Sequence, residues 1–294
     1  MSIKRWFCAG LVLGSGIVPA QGADLTDLDF LPFARQLVGT TSFGYGVDSG
    51  DLDDVSGLTQ SSRDSHTQAL TQSINYGITS RLSVFGALSH TWTTARYDFA
   101  GRGRSIERVG SQSLMIGLTG RLLEQQDHPF DLDVTATVPG TLSVALGREL
   151  ENMTIRAVAG VYHAGGGRGF DLVRGMDVDV GRFWGYQAGL QAQMRWTSAI
   201  SLNLSVQYIS SNVDNARGTA DGTTFTIQFP DQVNFGAALN YQLIPHRLAM
   251  QLGASYQLLG RRRDLYGDPT QDLATAHRIR HAVGLGFIYS MNGR

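Results

Sequence analysis

Apolar and polar residues take turns along most of this chain, and the alternation has a period of two. Phe130, Leu132, Val134, Ala136 and Val138 are interleaved with Asp131, Asp133, Thr135 and Thr137. Ile200, Leu202, Leu204, Val206 and Tyr208 alternate with Ser201, Asn203, Ser205 and Gln207. The same beat runs from Val233 to Leu243 and from Leu248 to Leu258. A strand throws successive side chains to opposite faces, so each segment predicts a strand with one apolar and one polar face. A β-sandwich with one wet face per sheet would alternate too, but these segments cluster near the ~9–11 residues that cross a bilayer at a tilt.

The connectors also alternate. Short turns fall at Thr79-Ser80-Arg81, Thr197-Ser198-Ala199 and Ile244-Pro245-His246, whereas polar stretches rich in Gly, Asp and Arg run through about 48–65, 96–109, 164–181, 210–230 and 260–276. Short periplasmic turns and long extracellular loops are the asymmetry of outer-membrane barrels. Parity supplies a count. A strand near 130–138 runs outward and one near 182–196 runs inward, so an even number lies between them; the segments Thr141 to Gly147 and Asn152 to His163 fill that place. The expectation is an all-β, closed antiparallel transmembrane barrel of about twelve strands over 36–290, or ten if Thr141 to Gly147 is loop.

Composition agrees. Glycine is abundant (36 residues), proline scarce (7), and charged residues make up 17% of the chain, against a typical ~25%. Net charge is −1, which gives no basic surface for nucleic acid. Mean hydropathy is near neutral, as expected when only every second residue meets lipid. Lys4 and Arg5, the apolar run Trp6 to Val18 and the small residues Pro19 to Ala23 have the order of a secretory signal peptide over 1–23, with cleavage after Ala20 or Ala23. Cys8, the one cysteine, lies within it, so neither disulfide nor thiolate chemistry is expected of the mature chain. Residues 24–35 hold Leu25, Leu28, Phe30, Leu31 and Phe33 and form either a lumenal plug or a periplasmic segment. Residues 291–294 form a short tail.

Trp92, Tyr97, Trp184, Trp196, Tyr208, Tyr241 and Tyr289 fall near strand ends, where aromatic girdles sit. Gly284, Phe287 and Tyr289 resemble the C-terminal recognition signal of barrel-assembly substrates, although Ala282 replaces the usual polar residue and Ser290 to Arg294 follow. A phrase of strand, tight turn and strand recurs, as Asn75-Tyr76-Gly77-Ile78-Thr79-Ser80-Arg81-Leu82-Ser83-Val84, as Met194 to Leu202, and as Asn240 to Leu248. That phrasing, over roughly Gln36 to Tyr289, resembles the outer-membrane barrels named for the meta-pathway of phenol degradation, the MetA-type transporters. The resemblance implies a Gram-negative outer-membrane channel for passive or facilitated passage of small, hydrophobic or aromatic solutes. Its implied partners are outer-membrane lipid and lipopolysaccharide, the barrel-assembly machinery and a small-molecule solute, without a cofactor. An impermeable structural or adhesion barrel and a secretion pore are the alternatives.

If the apolar face meets lipid, the other lines a lumen. Gln187, Gln191, Asn203, Gln207, Asn240 and Gln251 would point inward, in a polar and mostly uncharged lining that also takes in Ser73, Asn75, Ser83, Ser89, Ser113, Thr119, Gln193, Ser205, Asn234 and Gln257. Inward charge gathers at the periplasmic ends, as Arg121, Asp131, Asp133, Arg156 and Arg195. It forms either a charged constriction that sets selectivity or a salt-bridged plug of side chains. Arg261, Arg262 and Arg263, with Arg102, Arg104 and Arg108, are candidate lipopolysaccharide contacts, since guanidinium binds phosphate bidentately; a solvated loop is the plainer reading. Asp48, Asp51, Asp53 and Asp54 lack EF-hand spacing and read as an acidic loop rather than a metal site. Gly165 to Gly169 lacks the Lys-Ser/Thr of a phosphate-binding loop and reads as flexible connector. An outer-membrane lipid hydrolase would need a serine activated by a histidine, with the pattern His-x-Ser-Asn-Gly. None of the histidines at 66, 90, 128, 163, 246, 277 and 281 is followed two places on by serine, and Ser89 and His90 would point to opposite faces of a strand. No catalytic, cofactor or metal residue is expected.

Overall fold

In the computed structural model the described residues are 25–28, 30–54, 60–99, 103–138, 140–164, 167–171, 176–210, 216–220, 223–228, 231–260, 263–265 and 273–291. The expected signal peptide, the tail from 292, Arg102, Arg261 and Arg262 lie outside them. The described residues fold as one antiparallel sheet that closes on itself. In chain order the strands are β1 (Leu37–Asp54), β2 (Gln60–Gly77), β3 (Leu82–Phe99), β4 (Gly103–Leu123), β5 (Asp131–Val138), β6 (Thr141–Leu150), β7 (Met153–Ala164), β8 (Gly167–Asp171), β9 (Met176–Val180), β10 (Phe183–Arg195), β11 (Ile200–Ser210), β12 (Ala216–Ala220), β13 (Thr223–Gln228), β14 (Gln232–Ile244), β15 (Leu248–Leu259), β16 (Arg263–Leu265) and β17 (Leu273–Ser290).

Twelve of these complete the ring. Pairings run β1 to β7 in sequence, then β7–β10, β10–β11, β11–β14, β14–β15 and β15–β17, and β17 returns to β1 over sixteen registered residues. Closure joins the first and last strands of the sheet, and in lipid an unpaired backbone N–H or C=O costs several kcal/mol. The weakest strand of the sequence reading, Thr141 to Gly147, is present and runs on to Leu150, so the count is twelve rather than ten.

Side chains divide as the alternation requires. On β10 the outward Trp184, Tyr186, Ala188 and Leu190 are exposed, whereas Gly185 and Gln193 are buried. Leu204, Leu239 and Leu252 also face outward and exposed, as lipid-facing groups are in the absence of the bilayer. The turns repeat with the sequence phrase. In 77–82 the N–H groups of Ile78 and Thr79 donate to the Leu82 carbonyl, and in 195–200 those of Trp196 and Thr197 donate to the Ile200 carbonyl. Each turn threonine accepts a backbone N–H with its hydroxyl, Thr79 from Arg81 and Thr197 from Ala199 and Ile200. Pro245-His246 makes a tighter turn: Arg247 N–H donates to the Ile244 carbonyl at 3.0 Å and His246 takes a φ of 57°, the pattern of a type II turn with proline first. Arg81 donates to both oxygens of Glu124 at 2.9 and 3.1 Å, tying neighbouring periplasmic turns together. That hydrogen bond, with the charge of Glu124, raises the Arg81 pKa above its ordinary value.

Two features depart from the sequence reading. The long polar connectors are largely strand: β1 and β2 pair out to Asp53 and Gln60, β3 and β4 out to Phe99 and Gly103, and β8, β9, β12, β13 and β16 carry the wall beyond the ring. Above the membrane both faces of a strand are wet, so the hydropathy beat fades while the hydrogen-bond ladder continues. Gly167 to Gly169, expected as flexible connector, therefore lie in β8, paired with β9. The wall is also uneven. β5 has eight residues and β6 ten, at or below the ~9–11 needed to cross at a tilt. β4 meets β5 only from Ile116 downward, and among the described residues its upper part, 103–115, pairs with β3 alone. Val138, at the top of β5, is 73% exposed, and Met115, which shares the inward parity of Gly117 and Thr119, is still 39% exposed.

An arginine on the lipid face tests the sidedness. Leu239→Arg, near the middle of β14, is expected to cost about 2–4 kcal/mol of stability in denaturant titrations of liposome-reconstituted protein, whereas Ser205→Arg, facing the lumen, costs much less.

Candidate functional site: the periplasmic mouth

The segment before β1 lies inside the barrel. Leu25, Leu28, Phe30 and Leu31 are buried, and Leu25 and Phe30 pack with Val38, Ala249 and Ile288, inward residues of β1, β15 and β17. Its backbone is then satisfied from the opposite wall. Gln193 is fully buried; its amide N–H donates to the Thr26 carbonyl at 2.9 Å and its amide oxygen accepts the Leu28 N–H at 3.1 Å, so one side chain bonds the segment as a strand would. Arg156 donates to the Leu28 carbonyl at 2.6 Å. Arg35 N–H donates to the Gly77 carbonyl at 2.7 Å, Gly77 N–H to the Gln36 carbonyl at 3.0 Å, and the Gln36 amide to Ser290 at 3.1 Å, which fixes the exit into β1. A Cβ at Gly77 would meet the carbonyl oxygens of Phe33 and Pro32 at 2.0 and 2.4 Å, so glycine is what admits the segment here.

The charge cluster is the anchor of this arrangement. Arg121 and Arg156 share the carboxylate of Asp133, at 2.9 and 2.7 Å, and Asp133 is only 2% exposed. Arg195 spans Asp27 of the segment at 3.0 Å and Glu149 of β6 at 2.6 Å. Asp131 plays a different part: it accepts the N–H of Gln125 at 2.7 Å and ties the β4–β5 turn. Asp27 and Glu149 complete the cluster, and the sequence reading had neither. Glu149 shares the inward parity of Ser143 and Ala145, a signal missed because the expected strand ended at Gly147. Asp27 lies in a stretch without periodicity and left no trace.

The polar lining continues from this anchor. Gln193 donates to Ser201 at 3.0 Å, Asn240 to Ser201 at 3.2 Å, and Gln251 to Asn240 at 2.7 Å, in a buried chain across β10, β11, β14 and β15. Higher up, Gln207 donates to Gln187 at 3.2 Å and Gln257 to Gln232 at 2.7 Å. Gln191 stands in register with Arg156 and Ser205, and Asn203 with Gln193. The extracellular half is less polar than its sequence suggested. Tyr162, Phe183, Ile209, Phe225 and Leu259 are buried there; lower down, three residues above the start of β3, the Phe85 ring lies across the inner wall, where a Cβ at Gly117 would strike it at 2.4 Å.

Other candidates resolve differently. Asp48 faces inward and pairs with Arg280 at 3.3 Å, and among the described residues no group of acids and histidines could hold a metal ion. Ser89 bonds the Thr71 hydroxyl and His90 the Gln112 amide, on opposite faces of β3, so they form no dyad. Arg108 is exposed, and Arg104 and Arg263 lie in strands rather than loops.

No protein-family model matches the chain. No curated protein matches it either. Among solved structures it is similar to the COG4313 outer membrane channel from Pseudomonas putida F1 (15% identity, 88% of this chain and 96% of that one, TM-score 0.51). It is also similar to the transport unit of the autotransporter AIDA-I from Escherichia coli (12% identity, 84% and 89%, TM-score 0.53). At these identities the likeness is one of fold: a closed outer-membrane-type barrel.

Removing Arg156 should loosen the segment. Arg156→Gln leaves Asp133 to Arg121 alone and is expected to cost about 3 kcal/mol, the low end for breaking a buried pair. In hydrogen-exchange mass spectrometry, peptides covering 25–36 should exchange faster by about tenfold or more while β10 and β11 stay protected. Gly77→Val should release the same peptides by steric displacement.

Proposed function

We propose that this protein is an outer-membrane channel for small hydrophobic or aromatic solutes, with residues 25–36 as the closure of its periplasmic mouth. The observation that carries the reading is how the first part of the segment, 25–28, is held: by side chains of the wall rather than by strand pairing. Burying Leu25, Leu28, Phe30 and Leu31 contributes about 1.5–3 kcal/mol each, and ordering their stretch of backbone costs about 1–2 kcal/mol per residue. These nearly offset, so the hydrogen bonds and ion pairs of Gln193, Arg156 and Arg195 decide whether the mouth is shut. A barrel filled for rigidity alone needs no such balance.

The solute class follows from the lumen surface. Its upper half carries Met115 and Tyr162 alongside the amides of Gln187 and Gln207, Phe85 lies below them, and the low β5–β6 wall puts Met115 at the level of the outer leaflet. An apolar molecule with one polar group suits that mixture better than a sugar or an ion. The selectivity of the mouth is assigned to Arg121, Asp133, Arg156 and Arg195, the lipopolysaccharide phosphate contacts to Arg261, Arg262 and Arg263, and the barrel-assembly signal to Gly284, Phe287 and Tyr289 of the last strand.

The double variant Gln193→Ala, Arg195→Gln removes the latch without touching the lipid face. In planar bilayers it is expected to raise single-channel conductance several-fold over the native protein, and in proteoliposomes to admit a small phenol faster. Native and latch-free barrels that both fold and both pass nothing would leave an impermeable structural barrel.

A further inference from the structure

Each ring strand shows lipid one outward side chain about four or five residues above its periplasmic end. On β10, β11, β14 and β15 that residue is Leu190, Leu204, Leu239 or Leu252. On β2 it is Gln72, exposed, five residues above Gly77. Its same-face neighbours are Leu70 and Ile74, and its registered neighbours are Thr41 of β1 and Leu88 of β3. About half of a bilayer crossing lies below it, which places the amide in hydrocarbon, clear of both headgroup layers. A polar group there without a hydrogen-bond partner is costly.

A second feature adjoins it. Gly86 faces outward on β3, in register with Ile74, one outward place below Leu88. A Cβ there would meet nothing nearer than the Met115 carbonyl at 3.9 Å, unlike the glycines at 117 and 77, which internal packing requires. Thr41, Gln72 and Gly86 thus form a shallow place on an otherwise bulky face, with a donor and an acceptor at its centre.

We propose that the outer face of β1–β4 is the contact between two copies of this barrel, with the Gln72 amides of the two copies bonded to each other across a two-fold axis normal to the membrane. A primary amide both donates and accepts, so it is its own complement, and an isologous contact brings the same residue of both copies together. Gly86 and Thr41 let the walls approach closely enough for the bond. Lipid tails supply no partner, and lipopolysaccharide headgroups sit higher, near Gln68 and the bonded pair His90–Gln112.

Cysteine cross-linking in membranes tests it, in a Cys8→Ser background of the full chain. Gln72→Cys is expected to give an oxidised dimer at least about tenfold more abundant than Leu190→Cys, which faces lipid from β10 on the opposite side of the ring. In single-molecule photobleaching of bilayer-reconstituted protein, native chains should show two steps. Gln72→Leu should weaken dimerisation by about tenfold, and Gln72→Asn should keep most of it. Heat-modifiable mobility on gels confirms that each variant is folded. Equal cross-linking at both positions, or native protein that is monomeric at bilayer densities where Gln72→Leu is also monomeric, overturns the proposal; a Gln72 environment that changes with added lipopolysaccharide in such monomers would assign the amide to lipid.

Discussion

Hydrocarbon offers no hydrogen-bond partner, and every other feature of this molecule answers to that. Twelve strands pass their backbone bonds from neighbour to neighbour until β17 meets β1, so the sheet has no first or last strand left open to lipid, although the upper part of β4 has β3 as its one registered neighbour among the described residues. Once the ring is closed, alternation does the rest: one set of side chains must be apolar and the other is free to be polar. The outer set is Leu, Val, Ile and aromatic nearly throughout, and the inner set holds the amides, hydroxyls and ion pairs.

The same constraint shapes the interior. A narrow lumen filled by charged groups must satisfy them locally, and here Asp133 has two arginines while Arg195 reaches both Asp27 and Glu149. Two of those contacts, Arg156 to Leu28 and Arg195 to Asp27, cross from wall to segment. The cluster is therefore neither a bare constriction nor a plug made only of wall side chains. It is the socket for a piece of chain, and any opening of the mouth requires these charges to find water or each other.

How legible this was depends on where water lies. Within the membrane the period-two beat together with connector parity led to about twelve strands; Thr141 to Gly147, the weakest of them, left ten as the alternative until the observed strand Thr141–Leu150 decided it. Beyond the membrane the beat vanished and the extended hairpins read as loops. Inward apolar residues were missed where two large apolar residues adjoin, as Phe183 in Phe183-Trp184 and Ile209 in Tyr208-Ile209, because periodicity alone does not say which of the two faces in. The wall half of the charge cluster was legible apart from Glu149, since Arg121, Asp133, Arg156 and Arg195 all fall at inward positions near strand ends. Its partner half was not, because Asp27 and the Gln193 clamp depend on a folded segment that has no period to read.

The barrel is a sealed cylinder with oil outside and a polar, occupied interior. Spin labels placed one at a time along 200–210 of β11 in proteoliposomes measure it directly through collision with oxygen, which dissolves in lipid. Oxygen accessibility is expected to rise and fall with a period of two, high at 202, 204 and 206 and low at 201, 203 and 205. Accessibility that is uniform along the strand, or high at both parities, would contradict it.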